Sequence, residues 1–243
     1  MPNYRKNMGR REALALIGVT GAALAAGCSG ESPISPSAAT ASTNTGTTGT
    51  TGTAAPATAA GCAVTPSETI GPYPSLVDLF RSDIREGKSG TQLDLAITVV
   101  NTVGSCAPLS GVNVEIWQCD ADGNYSQYGS ERAQTYLRGI QTTDANGQVR
   151  FTTVYPGWYR GRATHIHVEV TRNNQSLKVT QIAFPDAVNN EVYGAGVYAS
   201  RGSNPTTNTR DGIFADSINS EMASITGNPS SGYAATFTIG LAA

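Results

Sequence analysis

From Thr91 onward, apolar and polar positions alternate in short runs broken by turn residues. Leu93, Leu95, Ile97 and Val99 are spaced by two, so on a strand they share one face. Val112, Val114 and Ile116 repeat the pattern after the Pro108-Leu-Ser-Gly111 turn, and Val149, Phe151 and Thr153 repeat it after Asp144-Ala-Asn-Gly147, a hairpin-type turn. Ile166, Val168 and Val170 predict another strand, and Leu177–Phe184 and Ala234–Ile239 two more. The only helix the pattern suggests is a short one over Asp216–Ser224. Several strands at turn-separated intervals predict an all-β fold, an antiparallel β-sandwich with long loops.

The first sixty residues follow a different rule. Lys6, Arg10 and Arg11 precede the apolar run Ala13–Ala26, which is short for a membrane span and ends in small residues, as a signal peptide does. Arg10-Arg11 resembles a twin-arginine export signal, and Leu24-Ala-Ala-Gly-Cys28 resembles a lipoprotein cleavage box with Cys28 as the lipidated residue. Residues 29–61 are rich in Thr, Gly, Ser and Ala and hold too little apolar surface to offset the entropy of ordering. The expected organisation is a signal peptide over 1–28, a disordered linker over 29–61 and a β-sandwich domain over 62–243. An exported location follows: a membrane-anchored lipoprotein, or a periplasmic or extracellular protein, touching a membrane only through Cys28.

Composition narrows the choice of partner. A formal net charge of −2, with no basic cluster beyond the first eleven residues, gives no electrostatic footprint for nucleic acid. Beyond Cys28 there are three cysteines, Cys62, Cys106 and Cys119, and export favours pairing. Cys106 and Cys119 flank a loop and a strand, which makes theirs the expected bridge.

The chemistry concentrates around the chain's two histidines, His165 and His167. Two positions apart on a strand, they project from one side while Ile166, Val168 and Val170 fill the other. Two close imidazoles repel when protonated, and a metal ion relieves this by taking both as neutral ligands. His-x-His alone is common. Here, however, Asp120-Ala-Asp-Gly-Asn-Tyr125 follows the Trp117 strand, Tyr155-Pro-Gly-Trp-Tyr159 and Arg162 precede the histidines, and Thr69-Ile-Gly-Pro-Tyr-Pro74 opens the domain.

Together these stretches resemble the intradiol ring-cleavage dioxygenases, from about Cys62 to Phe184. The matching motifs are Gly123-Asn-Tyr125, Pro156-Gly-Trp-Tyr159, Arg162-Ala-Thr-His165-Ile-His167, and a glutamine at Gln181. The resemblance implies a prealbumin-like sandwich and a non-haem Fe(III) ion held by Tyr125, Tyr159, His165 and His167. It implies cleavage of a small aromatic diol by O2, between the hydroxylated carbons, to a cis,cis-muconate-type product. Tyr159 would double as a base, Arg162 would stabilise charge on the ring, Gln181 would support Arg162 or substrate, and Pro72 and Tyr73 would form pocket wall. The ligand set is chemically coherent, since two anionic phenolates favour Fe(III) and a trivalent ion keeps a phenol deprotonated. Tyr128, Tyr136 and Tyr155 are expected to be ordinary packing residues, with Tyr128, close to Tyr125, kept as a spare ligand. Only five residues separate Tyr159 from His165, and the helical dimerisation segment of catechol dioxygenases has no counterpart, which leaves the oligomeric state open.

Two other functions fit parts of the pattern. A non-catalytic, prealbumin-like cell-surface binding module would share the sandwich without needing Tyr125, Arg162 and His-x-His together. A metal hydrolase could use the two histidines with Glu169, which lies on the same strand face. Residues 189–243 carry no motif that assigns them a role.

Overall fold

The structure is a computed structural model that describes residues 62–103 and 105–243. The expected signal segment, the linker and Cys28 lie outside the described residues. Among those described are nine strands: β1 (Gln92–Asn101), β2 (Ala107–Pro108), β3 (Asn113–Trp117), β4 (Arg138–Thr142), β5 (Gln148–Val154), β6 (His165–Arg172), β7 (Gln175–Ala183), β8 (Ser224–Asn228) and β9 (Gly232–Leu241). Two helices join them, α1 (Asp186–Tyr193) and α2 (Ile218–Glu221).

The strands form two sheets. The first runs β2-β1-β9-β8, with β5 also paired to β1, and the second runs β4-β3-β6-β7. Leu93, Leu95, Ile97 and Val99 of β1, Phe151 of β5 and Phe237 and Ile239 of β9 meet Val114 and Ile116 of β3, Ile166, Val168 and Val170 of β6 and Ile182 of β7 in one buried core. The side-chain period of two thus divides each strand as the alternation requires, and burial of each of these larger side chains contributes about 1.5–3 kcal/mol.

Three sequence expectations need correction. The sheets are not wholly antiparallel: β9 pairs parallel to β1, from Leu93↔Tyr233 to Asn101↔Leu241. The chain returns to β1 only after passing through the second sheet, so no hairpin dictates direction. Secondly, the Asp144–Gly147 turn forms, with Asp144 Oδ1 accepting the Asn146 and Gln148 amides, both at 2.8 Å. Its arms β4 and β5 nevertheless belong to different sheets, so it is a corner rather than a hairpin.

Thirdly, Cys106 bonds Cys62, with Cα atoms 5.4 Å apart, and does not bond Cys119. Cys106 lies beside β2 in the first sheet, whereas Cys119 follows Trp117 off the second sheet and is buried with Trp117 and Tyr125. Their nearness in sequence hides this separation. Burial also pushes the Cys119 thiol up to about 12, so it remains a neutral packing group.

Candidate active site

The second sheet has one face in the sandwich core. On its opposite face the register sets four side chains in a row: Arg138 of β4 opposite Trp117, Trp117 of β3 opposite His167, and His167 of β6 opposite Gln181 of β7. Cross-strand partners share a face, so the row is fixed by pairing alone. The Trp117 and His167 rings stack almost parallel, 5.0 Å apart and 2° from coplanar orientation. One pleat along β6, the His165 ring lies 4.6 Å from that of His167, with the Nε2 atoms 3.1 Å apart.

Three segments close over this face. The first follows β3, where Asp120 Oδ1 accepts the amides of Asp122 and Asn124 and turns the chain toward Tyr125. Tyr125 is only 4% exposed, and its ring lies 6.1 Å from that of His167. The second segment precedes β6. Gly157 packs against the Asp120 carbonyl with no room for a Cβ, which seats this loop on the first and brings the Tyr159 ring to 5.8 Å from Tyr125 and 5.6 Å from His165. The third segment is Thr69–Pro74. Gly71, at φ +74°, runs so close to His167 that a Cβ would stand 2.8 Å from the ring, and Tyr73 stacks on Tyr125 at 4.7 Å.

Two arginines frame the aromatic cluster. Arg138 is wholly buried and donates to Ser126 O and Oγ, Tyr73 O and Ser75 Oγ, which ties the first segment to the third. Arg162 donates through Nη2 to Gln181 Oε1 at 2.6 Å and through Nε to both oxygens of Asp211, at 2.9 and 3.1 Å. Gln181 in turn donates to Thr69 O at 3.0 Å.

Electrostatics keep these groups neutral when no cation is present. Burial lowers His165 to about 3, with Arg162 adding to the effect. His167 is held well below the usual range by burial and then by His165 itself. Burial likewise raises Tyr125 well above an ordinary phenol, and raises Tyr159, which the adjacent Arg162 guanidinium partly counters. The His165 Nδ1–H points at Ala163 O, 2.6 Å away, which leaves the Nε2 lone pair facing inward.

A bound cation fits this donor set. The buried Tyr125 hydroxyl and the buried His167 Nδ1 make no hydrogen bond, an expensive condition for a phenol unless something else engages its oxygen. Two neutral imidazoles with Nε2 atoms face to face and two phenols around them offer nitrogen and hard oxygen to one point. Among the described residues no group of three His, Cys, Asp or Glu side chains stands together as metal ligands, so Glu169 does not complete a hydrolase-type site.

The structure therefore brings Tyr125, Tyr159, His165, His167, Arg162, Gln181 and Tyr73 together. Pro72 is exposed beside Tyr73. Tyr128 donates to Pro74 O, Tyr136 to Asp120 and Tyr155 to Asn189, so all three phenols are engaged elsewhere. Sequence reasoning missed Arg138, Asp211 and Phe214. The Phe214 ring lies 6.3 Å from His165 and 5.7 Å from the Arg162 guanidinium. A buried arginine in a strand without alternation leaves little mark on a sequence, and Asp211 and Phe214 sit in a loop.

Comparison with known proteins gives concordant results. The model of a family described as dioxygenase matches residues 74–195, half of the chain. The hydroxyquinol 1,2-dioxygenase of Corynebacterium glutamicum is 39% identical over 119 residues, 41% of this chain and 38% of that protein. The catechol 1,2-dioxygenase of Acinetobacter baylyi is 28% identical over 180 residues, 63% of this chain and 53% of that one. The chain thus spans about half the length, or less, of these two relatives. The solved structure of an intradiol ring-cleavage dioxygenase from Tetranychus urticae superposes with a TM-score of 0.66 at 29% identity, covering 74% of this chain and 94% of that one.

Proposed function

Because the chain belongs to the intradiol ring-cleavage dioxygenases, we propose that it opens catechol-type rings between the two hydroxylated carbons, with O2 and a ferric ion, to give cis,cis-muconate-type products. The single observation that carries this reading is the buried, hydrogen-bond-free Tyr125 hydroxyl among the two inward-facing imidazoles and Tyr159.

Tyr125, Tyr159, His165 and His167 would hold the iron. A bound ferric ion would supply the Lewis acidity that draws electron density from the diol. The chain's own residues do the rest. Tyr159 is the less enclosed phenol; burial raises it and the neighbouring Arg162 guanidinium offsets part of that, so in a metal-held, ionised form its oxygen would be the base that receives a substrate hydroxyl proton. Arg162, held by Gln181, supplies fixed positive charge where the ring carbon becomes electron-rich. Tyr73 and Trp117 flank the centre with flat apolar surface and keep water from it. A cell-surface binding module would have no use for two buried neutral histidines aimed at an unpartnered phenol.

The test is iron reconstitution followed by visible spectroscopy and oxygen uptake with catechol and hydroxyquinol. A coloured, iron-loaded protein that consumes oxygen with either diol supports the reading. A protein that stays colourless with iron and retains zinc instead removes it.

Export belongs to the same proposal, with cleavage before Cys28, lipidation there and residues 29–61 as the tether. The Cys62–Cys106 disulfide supports an oxidising compartment. Fractionation of the wild type and of Cys28→Ser checks it: a wholly cytoplasmic, uncleaved wild type removes it.

A further inference from the structure

Arg162 is held from a part of the chain outside the matched family region, which ends at residue 195. Asp211 lies in the loop between α1 and α2, and its carboxylate is completely buried. Burying an ionised carboxylate is costly unless every oxygen is engaged. Here each oxygen accepts the Arg162 Nε–H, at 3.1 and 2.9 Å, while Oδ1 also takes the Ile213 amide at 2.8 Å and Oδ2 the Ala163 amide at 2.5 Å. Every one of these bonds fixes either Arg162, the residue after it, or the loop that carries Asp211 itself.

The placement bears on the reaction centre. A free arginine side chain samples many rotamers, at a cost of about 2 kcal/mol when it is fixed. Asp211 holds Nε and Gln181 holds Nη2, so the guanidinium is fixed at two of its nitrogens while it stands beside Tyr159. Phe214, three residues beyond Asp211, lies under the same guanidinium and against His165. The Ala163 backbone links the two ends of this arrangement: its N–H donates to Asp211 and its carbonyl takes the His165 Nδ1–H. A merely structural ion pair would have no reason to converge on the short loop between Tyr159 and His165.

We propose that Asp211 is a positioning residue for ring cleavage, fixing Arg162 so that its charge faces the ring carbon as electron density builds there. The inference rests on the ring-cleavage reading above. It assigns Asp211 no contact with substrate. Its effect on rate passes through Arg162.

That routing makes a double-variant experiment decisive. Iron-loaded wild type, Asp211→Asn, Asp211→Ala, Arg162→Ala and the Asp211→Ala/Arg162→Ala double variant are compared for oxygen uptake with catechol, iron content, thermal unfolding and catechol Kd from the visible absorption band. Arg162→Ala and Asp211→Ala are each expected to lower kcat about a hundredfold, the scale of losing one oriented charge, with iron and Kd kept. The double variant should match Arg162→Ala within about twofold, because an arginine that is absent cannot be misplaced. Asp211→Asn keeps the shape but turns an NH2 toward donors, so it should also lose most of kcat, and it serves if the alanine variant does not fold. Multiplying losses in the double variant, wild-type kcat in Asp211→Asn, or loss of iron from Asp211→Asn would each overturn the assignment. A wild type that takes up no oxygen overturns the ring-cleavage reading and this inference with it. An active wild type with an unaffected Arg162→Ala overturns the inference alone.

Discussion

The two faces of the second sheet come from the same strands and are both buried, yet they are built on opposite terms. Toward the first sheet, Val114, Ile116, Ile166, Val168, Val170 and Ile182 pack into a continuous apolar layer with no special geometry to defend. On the other face, Trp117, His167, Gln181 and Arg138 stand in a row under three loops, with phenols and imidazoles whose hydrogen-bonding capacity is partly unspent. The core face stabilises the sheet, and the site face draws on that stability. Polar atoms left unsatisfied in a dry place cost folding energy, which a rigid sheet tolerates and a loop bundle would not.

That contrast can be broken at four places. The largest effect is expected for His167→Gln, which should abolish iron binding and turnover while leaving the melting temperature closer to wild type than a truncation would, because glutamine fills most of the buried space beside Trp117; metal analysis and thermal unfolding check both halves. One residue away on the core face, Ile166→Ala should do the reverse, losing about 2–5 kcal/mol of stability by denaturant titration while keeping iron. Arg162→Ala comes next, with kcat down about a hundredfold in oxygen uptake, or about 2.7 kcal/mol of barrier, and with iron and fold intact.

The smallest effect sits at the margin of the core face. Buried Glu221 accepts from Thr180 and Ser217, and burial raises its pKa from 4.5 to about 7. A folded-state pKa above the unfolded value means the folded protein binds the proton more tightly. The resulting stability is full below about pH 4.5 and is lost as pH rises through 7. Glu221→Gln should remove that part of the pH dependence, so unfolding of the two proteins should diverge most above pH 7. Parallel curves across pH 5–8 would exclude the role.

How much of this was readable in advance differs between the faces too. The core face announces itself through Leu93 to Val99 and Ile166 to Val170, because a period of two maps directly onto burial. On the site face, the same period places His165 and His167 together, and short motifs around Tyr125, Tyr159 and Arg162 supply their neighbours. Arg138 and Asp211 were not legible. Their partners are backbone amides, carbonyls and one guanidinium, brought close only by strand pairing and loop return. The strand β4, reading Arg138-Gly-Ile-Gln-Thr142, has no alternation to betray it, and the α1 segment has only Asn189, Val192 and Tyr193 buried. The cysteine pairing failed for the same reason, since the sheet that each cysteine joins is a property of topology.

The Cys62–Cys106 bond has a mechanical consequence. Just past Cys62 the chain is pinned again, with the Thr65 amide on Gly240 O and the Gly240 amide on Thr65 Oγ1. Tension applied to the chain ahead of Cys62 therefore enters the first sheet through a covalent link to Cys106, beside β2, and shear against β9 takes up what remains. The Gly71–Tyr73 stretch, which leans on His167 and Tyr125, lies downstream of both anchors. A protein held by its N-terminal side could thus be tugged by a moving surface without its aromatic pocket feeling the pull.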